Sequence, residues 1–145
     1  MKRFGIALAV GALSACTTAP VAKVESPEAL HKQFLTLDTH LDTPLHFGRE
    51  GWRFDARHSL ADDMSQVDMG RMKEGALDGG FFTIYTDQGP LTPKGYADAL
   101  AFARTRSDLI DRTIAKYPDL IAPAVTAADA RRLNREGKLI AFKSI

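Results

Sequence analysis

The alternation of β-rich apolar runs with helical segments restricts the fold more than any other feature of the sequence. The runs are residues 34–41 (FLTLDTHL), 81–85 (FFTIY) and 138–145 (KLIAFKSI). A long helix is expected from Pro93 to about Lys116, opened by Thr92-Pro93 and stopped by Tyr117-Pro118. Its apolar positions Leu100, Ala103, Leu109 and Ile110 follow roughly the helical period. A further helix starts at Thr126, with Asp129 three residues on as a capping-box partner, and closes at Gly137. Two shorter helices are expected: Pro27 to about Gln33 behind Ser26 as cap, and Ser65 to Glu74 before Gly75. Strands that alternate with helices are joined by right-handed crossovers and lie parallel. The expected class is therefore α/β. Three parallel strands leave two open edges, whereas parallel sheets are normally covered on both faces. The pattern reads as the front part of a larger architecture.

Charge and hydropathy remove several functional classes. With 19 Lys+Arg against 18 Asp+Glu the net charge is +1, so the chain lacks the basic footprint of a nucleic-acid binder. No apolar run reaches the roughly 18 residues of a spanning helix. The first fifteen residues have the layout of a secretory signal, with Lys2 and Arg3 ahead of the apolar segment Phe4 to Leu13. Leu13-Ser14-Ala15-Cys16 resembles the bacterial lipobox. That resemblance implies lipidation of Cys16, membrane attachment through the lipid, and a place on the periplasmic face of a Gram-negative outer membrane. Ordinary cleavage after Ala15 is the alternative. Cys16 is the single cysteine, so no intrachain disulfide is expected. The expected layout is a signal over residues 1–15, a tether and short helix over 16–33, and a folded portion over 34–145.

Residues 43–63 read as a long polar loop, a length that usually carries function. Trp52 and Phe54 within it would line a substrate mouth or form a small satellite cluster. His46 and His58 read as solvated loop side chains, and His31 precedes the first strand. Gly79-Gly80 lacks the lysine and helix of a phosphate loop and reads as a close backbone approach.

The chemistry concentrates at the end of the first run. Side chains alternate along a strand, so His40 and Asp42 point the same way at its C-terminal end, where α/β folds place ligands. An imidazole and a carboxylate side by side suit a zinc-like divalent ion. A hydrogen-bonded His–Asp pair or a turn is the plainer reading of so short a pattern. Asp38, two residues earlier, would accept the imidazole N–H and orient the ring.

DTHLDTP, SQVDMGRMKEGALDGGFFTIYT and RRLNREGKLIAFKSI together resemble, in order and spacing, the membrane (renal) dipeptidases. These are zinc hydrolases on a TIM (β/α)8 barrel. The resemblance spans about Leu37 to Ile145. It implies that the chain is the N-terminal part of such a barrel, about three βα units, truncated after the third strand. It implies a site of two zinc ions, with His40 and Asp42 as ligands from strand one. A glutamate ending strand three and histidines from later strands would supply the rest, and the chain ends before them. The implied reaction is hydrolysis of a dipeptide by a metal-activated water, in some relatives with a C-terminal D-residue. A homodimer is compatible with the resemblance. The fragment alone is expected to be inactive. Two other readings stand beside it: another metal-dependent amidohydrolase on the same barrel, disfavoured because those more often carry His-x-His at this strand end, and a small non-enzymatic lipoprotein.

Overall fold

The computed structural model describes residues 25–145, so Cys16 and the lipobox-like segment lie outside the described residues. In chain order the elements are α1 (Pro27–His31), β1 (Leu37–Leu41), a 3-10 turn (Thr43–Leu45), α2 (Leu60–Asp63), α3 (Met69–Glu74), β2 (Gly79–Thr83), α4 (Pro93–Ile114), β3 (Ile121–Pro123), α5 (Ala127–Arg135) and β4 (Leu139–Ser144). The helix starts follow the capping chemistry of the sequence. Ser26, Thr92 and Thr126 accept the amides of Ala29, Gly95 and Asp129 through their side chains. At α5 the box is reciprocal, because the Asp129 carboxylate takes the Thr126 amide at 3.0 Å. Among the described residues no helix is long and apolar enough to cross a membrane.

The four strands form one sheet in the order β1-β2-β4-β3, and every pair is parallel. β3 was not legible in the sequence. It is three residues long, ends in proline, and is held by pairing with the first half of β4. The order fixes which face each helix covers. The chain steps one way from β1 to β2 and on past β4 to β3, then steps back from β3 to β4. Right-handed crossovers put helices of opposite steps on opposite faces. Accordingly Met69 and Met72 of α3 and Ile110 and Ile114 of α4 share a core with Leu41, Phe82, Leu139 and Ala141. Ala130 and Leu133 of α5 pack on the other face with Ile140 and Ala124, against Leu37, Ala122 and Phe142. The result is an open parallel α/β sheet; no closed barrel is formed among the described residues.

Gly79 and Gly80 are needed where β2 meets its neighbours. A Cβ on Gly79 would lie 2.2 Å from the Ile140 carbonyl oxygen of β4. One on Gly80 would lie 2.5 Å from Leu41 Cδ1 and 2.8 Å from the Asp38 carbonyl oxygen of β1. The glycine pair is a close-approach device, as its lack of phosphate-loop context suggested.

Residues 43–63 are not the solvated loop their polarity suggests. They contain the 3-10 turn and α2, and they close with aromatic side chains on the α4 face of the sheet. Phe47 and Phe54 are buried in the main core, and Trp52 packs against it. Phe54 meets Phe82 edge-on at 5.9 Å between ring centres, and Trp52 donates its indole N–H to Ser65 Oγ at 2.9 Å. These aromatics therefore belong to the main core, not to a satellite cluster or a substrate mouth. The segment is clamped at its far end by Asp68, fully buried, which caps α3 through the Arg71 amide at 2.8 Å. The same carboxylate takes the His58 amide at 3.1 Å and the Arg71 Nε–H at 2.6 Å. Burial opposes its charge, but these donors outweigh burial and hold the carboxyl below the usual range.

Candidate metal centre

β1 carries the candidate ligands to the sheet's C-terminal end. Leu37 and Asp38 pair with Gly79 and Gly80, but the next partner of β2's Phe82 is Leu41. β1 thus holds one more residue than β2 over this stretch, a bulge at Thr39-His40. Bulges beside sites redirect side chains. Here His40 Nε2 comes within 3.2 Å of Asp42 Oδ1, with both side chains more than half exposed at 61% and 57%. Asp42 has already left the strand and precedes the 3-10 turn, whose first bond runs from the Leu45 amide to the Asp42 carbonyl at 2.9 Å. Asp38 meets His40 through the backbone: its Oδ1 accepts the His40 amide at 2.8 Å. That contact fixes the bulged residue's peptide instead of its ring.

The donor types fit a divalent metal ion, one imidazole nitrogen and one carboxylate oxygen, accessible and adjacent. Their number does not complete a site. Among the described residues no group of three or more His, Cys, Asp and Glu is placed to hold a metal. The remaining histidines have other employment. His31 ends α1 on the surface. His58 is nearly buried, with Nδ1 2.5 Å from Asp63 Oδ2, Nε2 2.7 Å from the Arg53 carbonyl, and its ring stacked on Trp52 at 4.7 Å. Both nitrogens are used, so the ring is a structural pin and not a solvated loop side chain.

His46 occupies a different position. It lies in the turn that follows Asp42 and lines a hollow of about 380 Å³ together with Asp38, His40, Asp42, Arg49 and Gln66. Its ring stacks on Trp52 at 5.5 Å, opposite in sequence to His58. Arg49 Nη1 lies 2.9 Å from His46 Nδ1. A guanidinium can only donate, so Nδ1 is the acceptor. Burial, and after it the Arg49 charge, hold the His46 pKa below the usual imidazole value and so favour the neutral ring. One further anchor comes from far along the chain. Arg106 of α4 donates to the Pro44 carbonyl at 2.6 Å and ties the turn behind Asp42 to the helix. Neither Arg49 nor Arg106 stood out in the sequence. A His-x-x-Arg spacing in a glycine-containing turn was the local signal for Arg49; Arg106 had none.

Comparisons with known proteins bear on this geometry. The family model described as membrane dipeptidase (peptidase family M19) matches residues 24–145. Dipeptidase ataJ of Aspergillus terreus is 28% identical over 94 residues, which is 61% of this chain and 23% of that protein. The crystal structure of the probable dipeptidase PvdM from Pseudomonas aeruginosa aligns with a TM-score of 0.68 at 25% identity, over 81% of this chain and 29% of PvdM. The dipeptidase AC, a metallo peptidase, aligns with a TM-score of 0.58 at 24% identity over 75% of this chain and 34% of its own, a likeness of fold. The chain spans about a quarter to a third of the length of these relatives.

Proposed function

The chain belongs to the membrane dipeptidase family, and from that premise we propose that it carries the strand-one half of a zinc-dependent dipeptidase centre, with His40 and Asp42 as metal ligands. The observation that carries the reading is the approach of His40 Nε2 and Asp42 Oδ1 to 3.2 Å at the C-terminal end of β1, inside the region that matches the family. On this reading the sheet β1-β2-β4 is a segment of a TIM-type barrel wall, and the further ligands belong to segments that the longer relatives possess outside the matched region. Zinc bound at such a centre supplies a water of lowered pKa and a Lewis acid for the peptide carbonyl.

The chain's own residues set the conditions for that chemistry. The bulge turns His40 toward Asp42, and Asp38 fixes the bulged amide. Arg106 and the 3-10 turn fix the backbone behind Asp42. The hollow beside the pair is large enough for a dipeptide and opens to solvent. The substrate proposed is a short peptide in the cell envelope, where Cys16 would be lipidated. His40 paired with Asp42, instead of a second histidine, favours the dipeptidase over another amidohydrolase on the same fold.

The test is zinc titration of the purified chain and its variants against a chromophoric chelator. His40→Ala and Asp42→Ala are each expected to lower zinc affinity by about tenfold or more. Unchanged affinity in both variants would sink the assignment.

A further inference from the structure

We infer that the Thr83 hydroxyl is a positioning group for Asp42, holding its carboxylate in the orientation a bound metal takes; this rests on the dipeptidase reading and deepens it. Thr83 is the last residue of β2 and is 7% exposed. Its Oγ1 is buried and has no hydrogen-bond partner among the described residues. Taking a hydroxyl out of water without a partner is unfavourable, and buried polar atoms in folded proteins nearly always have one. No other buried side-chain nitrogen or oxygen of the described residues is left so. The buried Ser65 and Asp68 show the contrast, since each is hydrogen-bonded.

The register brings this residue to the rim that carries the proposed ligands. Leu41 of β1 pairs with Phe82, so Asp42 follows Leu41 where Thr83 follows Phe82. Leu41 and Phe82 share the core on the α4 face. Alternation turns Thr83 to the opposite face, as it does His40, which Asp42 meets. On its other side Thr83 pairs with Ser144 of β4, a half-buried residue. The backbone there is fixed, because the Ile84 amide donates to the Ser144 carbonyl at 2.8 Å. Thr83 thus ends a strand flanked by β1 and β4. As the pair stands, His40 Nε2 and Asp42 Oδ1 lie 3.2 Å apart and spend their metal-binding atoms on each other. A metal that takes both atoms breaks that contact. The carboxylate oxygen left off the metal then needs a donor, because metal-bound carboxylates are held by hydrogen bonds of their own. Thr83 supplies one that has no other use, on a β-branched side chain that is stiff at χ1.

The test sets stability against metal affinity. Thr83→Val removes the hydroxyl and keeps the shape; Thr83→Ser keeps the hydroxyl. Without metal, Thr83→Val is expected to melt at or above the parent temperature, since no hydrogen bond is lost. With zinc titrated against a chromophoric chelator, the same variant is expected to bind about tenfold more weakly. Thr83→Ser is expected to bind within about threefold of the parent, as is Ser144→Ala, the control for the neighbouring hydroxyl. A merely structural threonine would lower the melting temperature on substitution and leave zinc affinity alone. A Thr83→Val protein that melts below the parent would reveal a hydroxyl already partnered and overturn the inference. So would zinc binding within about threefold of the parent in Thr83→Val, or an equal loss in Thr83→Ser or Ser144→Ala. Failure of the zinc assignment itself appears separately, as unchanged affinity in His40→Ala and Asp42→Ala.

Discussion

Gly80→Ala tests whether the spacing of β1 and β2 sets the geometry of the proposed metal ligands. The added Cβ would lie 2.5 Å from Leu41 Cδ1 and 2.8 Å from the Asp38 carbonyl oxygen. Ordinary carbon contacts are about 3.5–4.0 Å, so the strands must part by roughly 0.7–1.5 Å. Leu41 is 3% exposed and packed in the core, so it has no room to turn away. Overpacking of this kind costs about 1–3 kcal/mol. For a domain of this size, about 2 kcal/mol corresponds to a fall in melting temperature of roughly 8 °C. The displacement falls on Asp38, just before the bulge that aims His40. Zinc affinity is therefore expected to drop by about tenfold, the effect of disturbing a ligand's support. Gly79→Ala is the control. Its Cβ would strike the Ile140 carbonyl at 2.2 Å, on β4 and away from β1. It should destabilise at least as much yet leave zinc affinity within about twofold, since it does not displace the support of either ligand. Thermal melts and chelator competition on the two variants decide the matter. A Gly80→Ala protein that melts like the parent, or an equal loss of zinc affinity in both variants, would refute the reasoning.

Two further substitutions probe the contacts that hold the site's surroundings. Asp68→Asn removes the charged acceptor of three donors and should cost about 3 kcal/mol, the low end for a broken buried pair because Arg71 is partly exposed. The Asp68 carboxyl lies below its usual range in the fold, so its stabilisation is complete above that range and is lost as pH falls through the folded value; urea midpoints followed toward acid pH should therefore fall less steeply in Asp68→Asn than in the parent. Arg106→Met removes the bond to the Pro44 carbonyl and should cost about 1–2 kcal/mol while weakening zinc binding. Denaturation and chelator competition check both effects, and Arg106→Lys should restore part of each.

What was legible in the sequence is what short-range chemistry determines. Thr92, Thr126 and Asp129 start their helices through contacts three residues apart, which a reader of the chain can count. Gly79-Gly80 announced a close approach because the residues around it offered no other use for two glycines. The pairing of His40 with Asp42 followed from alternation along a strand, although the bulge at Thr39-His40 intervenes. The contents of residues 43–63 were not legible, because their aromatics close on the sheet and their polar side chains fold back on one another. Phe54 is buried against Phe82, and His58 is held by Asp63, Arg53 and the Trp52 ring. Polar letters around these residues look solvated until the sheet arrives beneath them. β3 likewise exists through its pairing with β4, for three residues carry too little propensity to declare a strand.

The same division runs through the candidate site. Its proposed metal ligands lie one residue apart in sequence and so could be named from it. Their placement depends on Gly80 and Arg106, 38 and 64 positions beyond Asp42, and the wall facing them depends on Trp52 gripping His46. A motif therefore specifies which atoms would meet a metal, while the packing around it specifies at what separation and beside which charge. Substitutions that spare the motif but move its supports should thus separate ligand chemistry from ligand placement. Gly80→Ala keeps the identity of every donor and changes only the spacing, so a loss of zinc affinity there would assign placement to the sheet and not to the three residues of the pattern.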